Sequence, residues 1–216
     1  MNVNRACADC RLPIVGYPMV SNFDRRDYAD FDRGAASMRT LTQQLTQYAA
    51  YHRDRRNIAT HFIGIPLIVL ALAVLLSRPS FVPGGWPFAL SAAWLLFVAA
   101  TLYYLVLDVP LGLMMAVVSA LCIAFGEWIA AQSTLAWLAT GVGLFVIGWV
   151  FQFIGHVAYE HRKPAFMDDV IGLLIGPLFV LAEALFGIGW RPALREAIER
   201  EVGPTRITQD RAAAHR

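Results

Sequence analysis

Imidazole is the side chain best suited to hold a transition metal near neutral pH, and most of the imidazoles in this chain come in pairs. Of its five histidines, four fall in two pairs, His52 with His61 and His156 with His161, while His215 stands in the C-terminal tail. Glu160 immediately precedes His161. Imidazole and carboxylate ligands with positions left open suit non-haem Fe(II), for which two histidines and one carboxylate are the minimal facial set; the same ligands also hold zinc. Iron is the expectation, with zinc not excluded. Any one of these histidines alone reads more readily as an interfacial residue that caps or snorkels. Four of them meeting beside Glu160 would make a metal site.

About a hundred residues separate the pairs, so the intervening chain must return to its starting point. Uncharged apolar runs occur at about 62–77, 86–107, 109–126, 128–155 and 170–182, and a bilayer core takes roughly 20 residues of helix. Breaks are expected at Arg78, Pro79, Pro83, Gly84 and Gly85, at Asp108 and Pro110, and at Gln132, Ser133 and Thr134. The fold class expected is all-α: a polytopic membrane helical bundle with four spanning helices and little or no sheet. The fifth run contains Gly172, Gly176, Pro177 and Glu183, so a bent, re-entrant or interfacial segment is as plausible as a crossing. Four crossings between the histidine pairs return the chain to one face, whereas an odd number would leave a bilayer between them.

Helical spacing constrains each pair. His156 and Glu160 are four residues apart and share a face. His161 is five from His156, roughly 140° around an ideal helix, and joins only if the helix ends or unwinds, as Lys163–Pro164 suggests. The stretch from Met38 to Arg56 repeats Leu41, Leu45, Tyr48 and His52 at helical spacing and predicts an amphipathic leading helix. His52 and His61 lie about half a turn out of phase on a continuous helix. One ion can take both only if the helix breaks between them. Asn57 is the expected N-cap of the first membrane helix, with the leading helix stopping near Arg56 and Thr60 as an alternative cap.

Composition agrees with a membrane setting: 57% of the 216 residues are hydrophobic and 16% charged. A net charge of +2 with scattered basic residues excludes a nucleic-acid partner. Cys7 and Cys10 lack a second half-knuckle, Cys122 lies in an apolar run, and no disulfide framework is expected. No cleavable signal is apparent before the first span. Residues 1–37 read as a mobile tail, 38–190 as the membrane-embedded catalytic domain and 191–216 as a C-terminal tail. Arg39, Arg53, Arg55 and Arg56 before the first span, with Arg162 and Lys163 after the fourth, predict a cytoplasmic N-terminus and a metal site on the cytoplasmic face. Six arginines after Trp190 favour a fifth segment that returns to its own side. Alanine and arginine richness inclines the host membrane to a bacterial inner membrane, or to the endoplasmic reticulum if the source is eukaryotic. Asp168 and Asp169 read as N-terminal acids of the fifth segment, and Glu183, ionisable within an apolar run, is a further functional candidate.

The segments YHRDRRNIATHFIGIPLIVLAL (Tyr51 to Leu72) and QFIGHVAYEHRKPAFMDDVIGLLIGPLFVLAE (Gln152 to Glu183) resemble the Mpo1-like family, formerly a domain of unknown function. The likeness runs from about Met38 to Glu183 and matches the family pattern at His52, Asn57, His61, His156, Glu160, Arg162 and Pro164. The resemblance implies an Fe(II)-dependent dioxygenase that shortens 2-hydroxy fatty acids by one carbon, with a membrane lipid environment, a long-chain 2-hydroxy fatty acid and O2 as partners. It further implies His52, His61 and His156 as metal ligands, with His161 the least secure of the four. Glu160 is then a fourth ligand or a base that orients a histidine, Arg162 or Lys163 pairs the substrate carboxylate, and Arg56 and Asn57 contact substrate. Tyr159 replaces the commoner phenylalanine, a change expected to be neutral. Rival readings are a di-iron lipid hydroxylase, which uses about twice as many histidines, and a non-enzymatic small transporter or scaffold in which Glu160, Glu183 and the histidines relay protons or anchor helices.

Overall fold

A computed structural model describes residues 39–85, 89–160 and 171–207. Cys7, Cys10, His161, Arg162, Lys163, Pro164, Asp168, Asp169 and His215 lie outside the described residues, as does the expected N-terminal tail.

Helix α1 (Leu41–Ala50) opens on a reciprocal cap: Thr40 Oγ1 accepts from the Gln43 amide at 3.3 Å, and Gln43 Oε1 accepts from the Thr40 amide at 2.9 Å. Its apolar stripe, Leu41, Leu45, Tyr48 and Ala49, is buried. The chain then leaves helical geometry, and α2 (Arg55–Leu76) begins with Asp54 as N-cap, whose Oδ1 accepts from the Arg56 amide at 2.8 Å. The required break between His52 and His61 therefore exists, but neither Asn57 nor Thr60 caps it, and α1 stops at Ala50 rather than near Arg56. A buried carboxylate at the positive end of α2, itself paired with Arg56 at 3.0 Å, outcompetes a neutral amide three residues further on.

Helices α2, α4 (Val109–Ala130) and α5 (Thr134–Ile154, continued by a wider π-type turn over Gly155–Glu160) are long and apolar enough to cross a membrane. Asp108 and Ser133 cap α4 and α5, accepting from Leu111 and Ala136 at 3.0 and 3.2 Å, where the breaks were expected. The second apolar run departs from expectation. Its helix, α3, covers only Ala92–Leu107, because β1 (Ser80–Phe81) pairs antiparallel with β2 (Leu90–Ser91) just ahead of it. Sixteen helical residues rise about 24 Å, less than a typical hydrocarbon core.

The pair α2 and α5 forms the centre of the bundle. Gly64 and Gly148 face each other there: a Cβ on either would come within 2.8 Å of the other's carbonyl oxygen. Small residues at the crossing let the two histidine-bearing helices approach closely. The fifth run forms α6 (Ile171–Gly187), which bends by 115° into α7 (Pro192–Val202). Arg191 pairs with Asp108 at 2.6 Å, and Arg53 donates to the Gly203 carbonyl at 2.6 Å, so the bent pair returns to the histidine end. Through Ile207, the segment read as a C-terminal tail contains this helix, with Ile198 buried in the cluster of Leu41 and Leu45, and an extended stretch in which Arg206 bonds Arg53 and Arg55 through the backbone.

Candidate metal centre

His52 sits in the turn between α1 and α2, His61 on the second turn of α2, and His156 in the π-type turn that ends α5. All three are at most 3% exposed. His52 Nδ1 faces the Tyr48 carbonyl at 2.7 Å, and His61 Nδ1 faces the Asn57 carbonyl at 2.9 Å. A carbonyl only accepts, so both protons belong on Nδ1, and in the neutral rings both lone pairs are on Nε2. Those two Nε2 atoms lie 3.0 Å apart. Two lone pairs at that separation repel unless a cation lies between them. Ligands about 2.0–2.1 Å from one ion, at angles between square and tetrahedral, stand about 2.9–3.4 Å apart, and the two nitrogens match that spacing.

His156 completes the group: its ring centroid is 4.9 Å from each of the other two, and its Nδ1 has no hydrogen-bond partner. One ligand atom from each ring lies within 4.8 Å of the others, and this cluster could hold a metal ion. Local sequence explains the convergence. A Cβ on Gly155 would collide with Asn57 Oδ1 and Thr60 Oγ1, so glycine lets the wide turn press onto α2 and set His156 beside His61. Tyr48 stacks on His52 at 4.2 Å between centroids and 6° between planes, with Phe179 tilted against both rings. Burial, reinforced by His61, holds the His52 imidazole well below its usual 6.5, so the ring stays neutral and keeps its lone pair.

Glu160 is not in the group of three. Its Oε1 accepts from the backbone amides of Arg53 and Asp54, both at 2.6 Å, and from Asn57 Nδ2 at 3.4 Å, strapping the end of α5 to the turn that carries His52. Asn57 is fully buried, and its Oδ1 has no partner. Arg56 is held by Asp54 and lies 4.6 Å over the Tyr159 ring. Glu183 stands away from the imidazoles, within electrostatic reach of Arg53 and Arg195.

Below the imidazoles an apolar chamber of about 590 Å³ runs between α2, α3, α4, α5 and α6. His156 and Tyr48 line its mouth, and Leu72, Phe97 and Phe145 lie among its deeper walls. Leu96, Val118, Phe145 and Leu173 line it yet are exposed on the helix surface, which opens the chamber sideways toward lipid. Sequence reasoning missed Asp54, Phe179 and Gln152 at this end of the molecule. A signal existed for Gln152, an uncharged amide inside an apolar span one turn before His156.

An apolar helical bundle with three buried imidazoles converging at one end, beside an apolar chamber, defines a membrane-type protein with a site that could hold a metal ion. The family profile described as "2-hydroxy-palmitic acid dioxygenase Mpo1-like" matches residues 38–188, and the chain belongs to this family. It is 30% identical over 163 residues to the 2-hydroxy-palmitic acid dioxygenase MPO1 of Saccharomyces cerevisiae, covering 75% of this chain and 89% of that protein. No solved structure matches.

Proposed function

We propose that the protein is an Fe(II)-dependent dioxygenase that shortens 2-hydroxy fatty acids by one carbon. The observation that carries this reading is that one residue, His156, belongs both to the imidazole cluster and to the wall of the apolar chamber. A long-chain acid is the ligand class that needs a polar, metal-holding head site continuous with a lipid-accessible cavity. From His61 to Leu72, α2 advances about 16 Å. With C–C bonds of about 1.52 Å an all-trans chain gains roughly 1.3 Å per carbon, so about a dozen carbons fit before the exposed flank lets the remainder lie in lipid.

His52, His61 and His156 would hold the metal. Bound iron would supply the electrons that O2 activation needs, which zinc, lacking redox chemistry, does not. The remaining work falls to the chain. Tyr48 and Phe179 exclude water from one side of the rings, and the Tyr48 and Asn57 carbonyls fix the tautomers of His52 and His61. Glu160 acts as a positioning residue through the turn it straps. Arg162 and Lys163 are assigned to the substrate carboxylate, His161 to the metal as the least secure of its ligands, and the site to the cytoplasmic face, from sequence position alone. The overall conversion balances as 2-hydroxy acid plus O2 giving the acid one carbon shorter, carbon dioxide and water. Oxygen uptake with 2-hydroxyhexadecanoate, with and without ferrous iron, tests it. Uptake that requires both supports the reading, and no uptake by iron-loaded protein overturns it.

A further inference from the structure

Among the described residues, the chamber wall next to the imidazoles contains an amide donor without a hydrogen-bond partner. Gln152 is 6% exposed, lines the cavity, and its Nε2 has no hydrogen-bond partner. It lies one helical turn from His156 on the same face of α5, on the chamber side of the imidazoles. Its amide reaches across to α2 at Gly64, three residues past His61, where a Cβ would stand 2.7 Å from Nε2. A bare N–H donor in an apolar wall is destabilising, and an apolar residue of the same volume would fit this helix. The donor is therefore placed for an acceptor that arrives from outside.

We infer that Gln152 recognises the C2 oxygen of the substrate and so sets the preference for 2-hydroxy over unsubstituted acids. The inference rests on the function proposed above. A chain that enters the chamber from C3 onward, with its carboxylate toward the imidazoles, presents one polar atom at the chamber mouth, the oxygen on C2. Gln152 Nε2 donates to that oxygen. An acid without it leaves the donor buried and unpaired, the arrangement by which a site built around one hydrogen bond rejects the analogue lacking it.

The test compares binding of 2-hydroxyhexadecanoate and hexadecanoate to purified, metal-loaded protein under anaerobic conditions, for the wild type, Gln152→Met and Gln152→Leu. Wild type is expected to favour the 2-hydroxy acid, and both variants to lose about tenfold of that preference. The loss comes from weaker 2-hydroxy acid binding, with hexadecanoate bound as well as before or better. A structural defect would weaken both acids together, so equal weakening or an unchanged ratio overturns the assignment. A second comparison needs no variant: wild type should retain 2-oxohexadecanoate, whose C2 oxygen accepts, and bind 2-aminohexadecanoate, whose ammonium only donates, at least tenfold more weakly. Equal binding of those two also overturns it. Wild-type protein that binds none of the acids instead sinks the proposed function, whereas a wild-type preference that survives both variants sinks only the role of Gln152.

Discussion

The two ends of the bundle handle buried polar groups in opposite ways. At the end away from the histidines, Arg78 donates to the Ala130 carbonyl through Nε at 2.7 Å and to the Gln132 carbonyl through Nη2 at 2.6 Å. It also lies 5.2 Å over the Trp137 ring, whose own N–H is spent on the Val74 carbonyl. One cation thus satisfies the carbonyls that α4 leaves bare at its C-terminus, and it has little left to offer a ligand. At the other end, Asn57 Oδ1, Gln152 Nε2 and His156 Nδ1 lack partners, and two imidazole lone pairs face each other. The far end has a single orphan among the described residues, Ser91 Oγ at the start of α3. Among the described residues, side-chain donors are spent on carbonyls at one end and side-chain donors and acceptors stand bare at the other, as expected of an end that receives a ligand.

The largest effect should come from removing a ring at the bare end. His61→Ala is expected to lower turnover of 2-hydroxyhexadecanoate at least 100-fold while the protein still folds, read by oxygen uptake beside a thermal melt. Wild-type turnover in that variant would erase the contrast between the ends. Next is Glu160→Ala, which frees two backbone amides in the turn carrying His52. A loss of about 3 kcal/mol in stability and of 10- to 100-fold in metal affinity should follow, measured by denaturation and metal titration. Arg78→Ala sharpens the comparison from the other side: about 1–2 kcal/mol of stability should go, with metal affinity unchanged.

The smallest effect is that of pH. Because the folded pKa of His52 is depressed, the unfolded chain takes up a proton near 6.5 that the folded chain refuses. Stability from this group is complete above that pH and declines as pH falls through and below it, by about 1.4 kcal/mol per unit at most. Metal-free protein melted between pH 7.5 and 5.5 should lose stability toward the acid end, and His52→Asn should reduce that slope by this group's share.

Much of this contrast could be read in the sequence. Four apolar runs between the histidine pairs fix parity, and parity brings His61 and His156 to one end, because a helix that enters a bilayer must leave it. The break between His52 and His61 followed from phase alone, but its cap did not. Asp54 and Asn57 both have cap chemistry, and the choice turned on a partner, Arg56, two residues on in the first turn of the same helix. The wide turn at Gly155 was not legible, since it depends on contact with Asn57 and Thr60 about a hundred residues earlier. Nor was the shortening of α3, where strand pairing takes up the start of an uninterrupted apolar run. Gln152 was visible as an amide in an apolar span, yet only the packed structure reveals that its donor is unspent.

Metal analysis of protein purified without a histidine tag tests the central claim most directly. About one iron per chain, lost in His61→Ala and in His52→Ala but kept in Arg78→Ala, is the result that the proposed function predicts. Folded protein that carries no stoichiometric metal and takes none up from ferrous solution would contradict it.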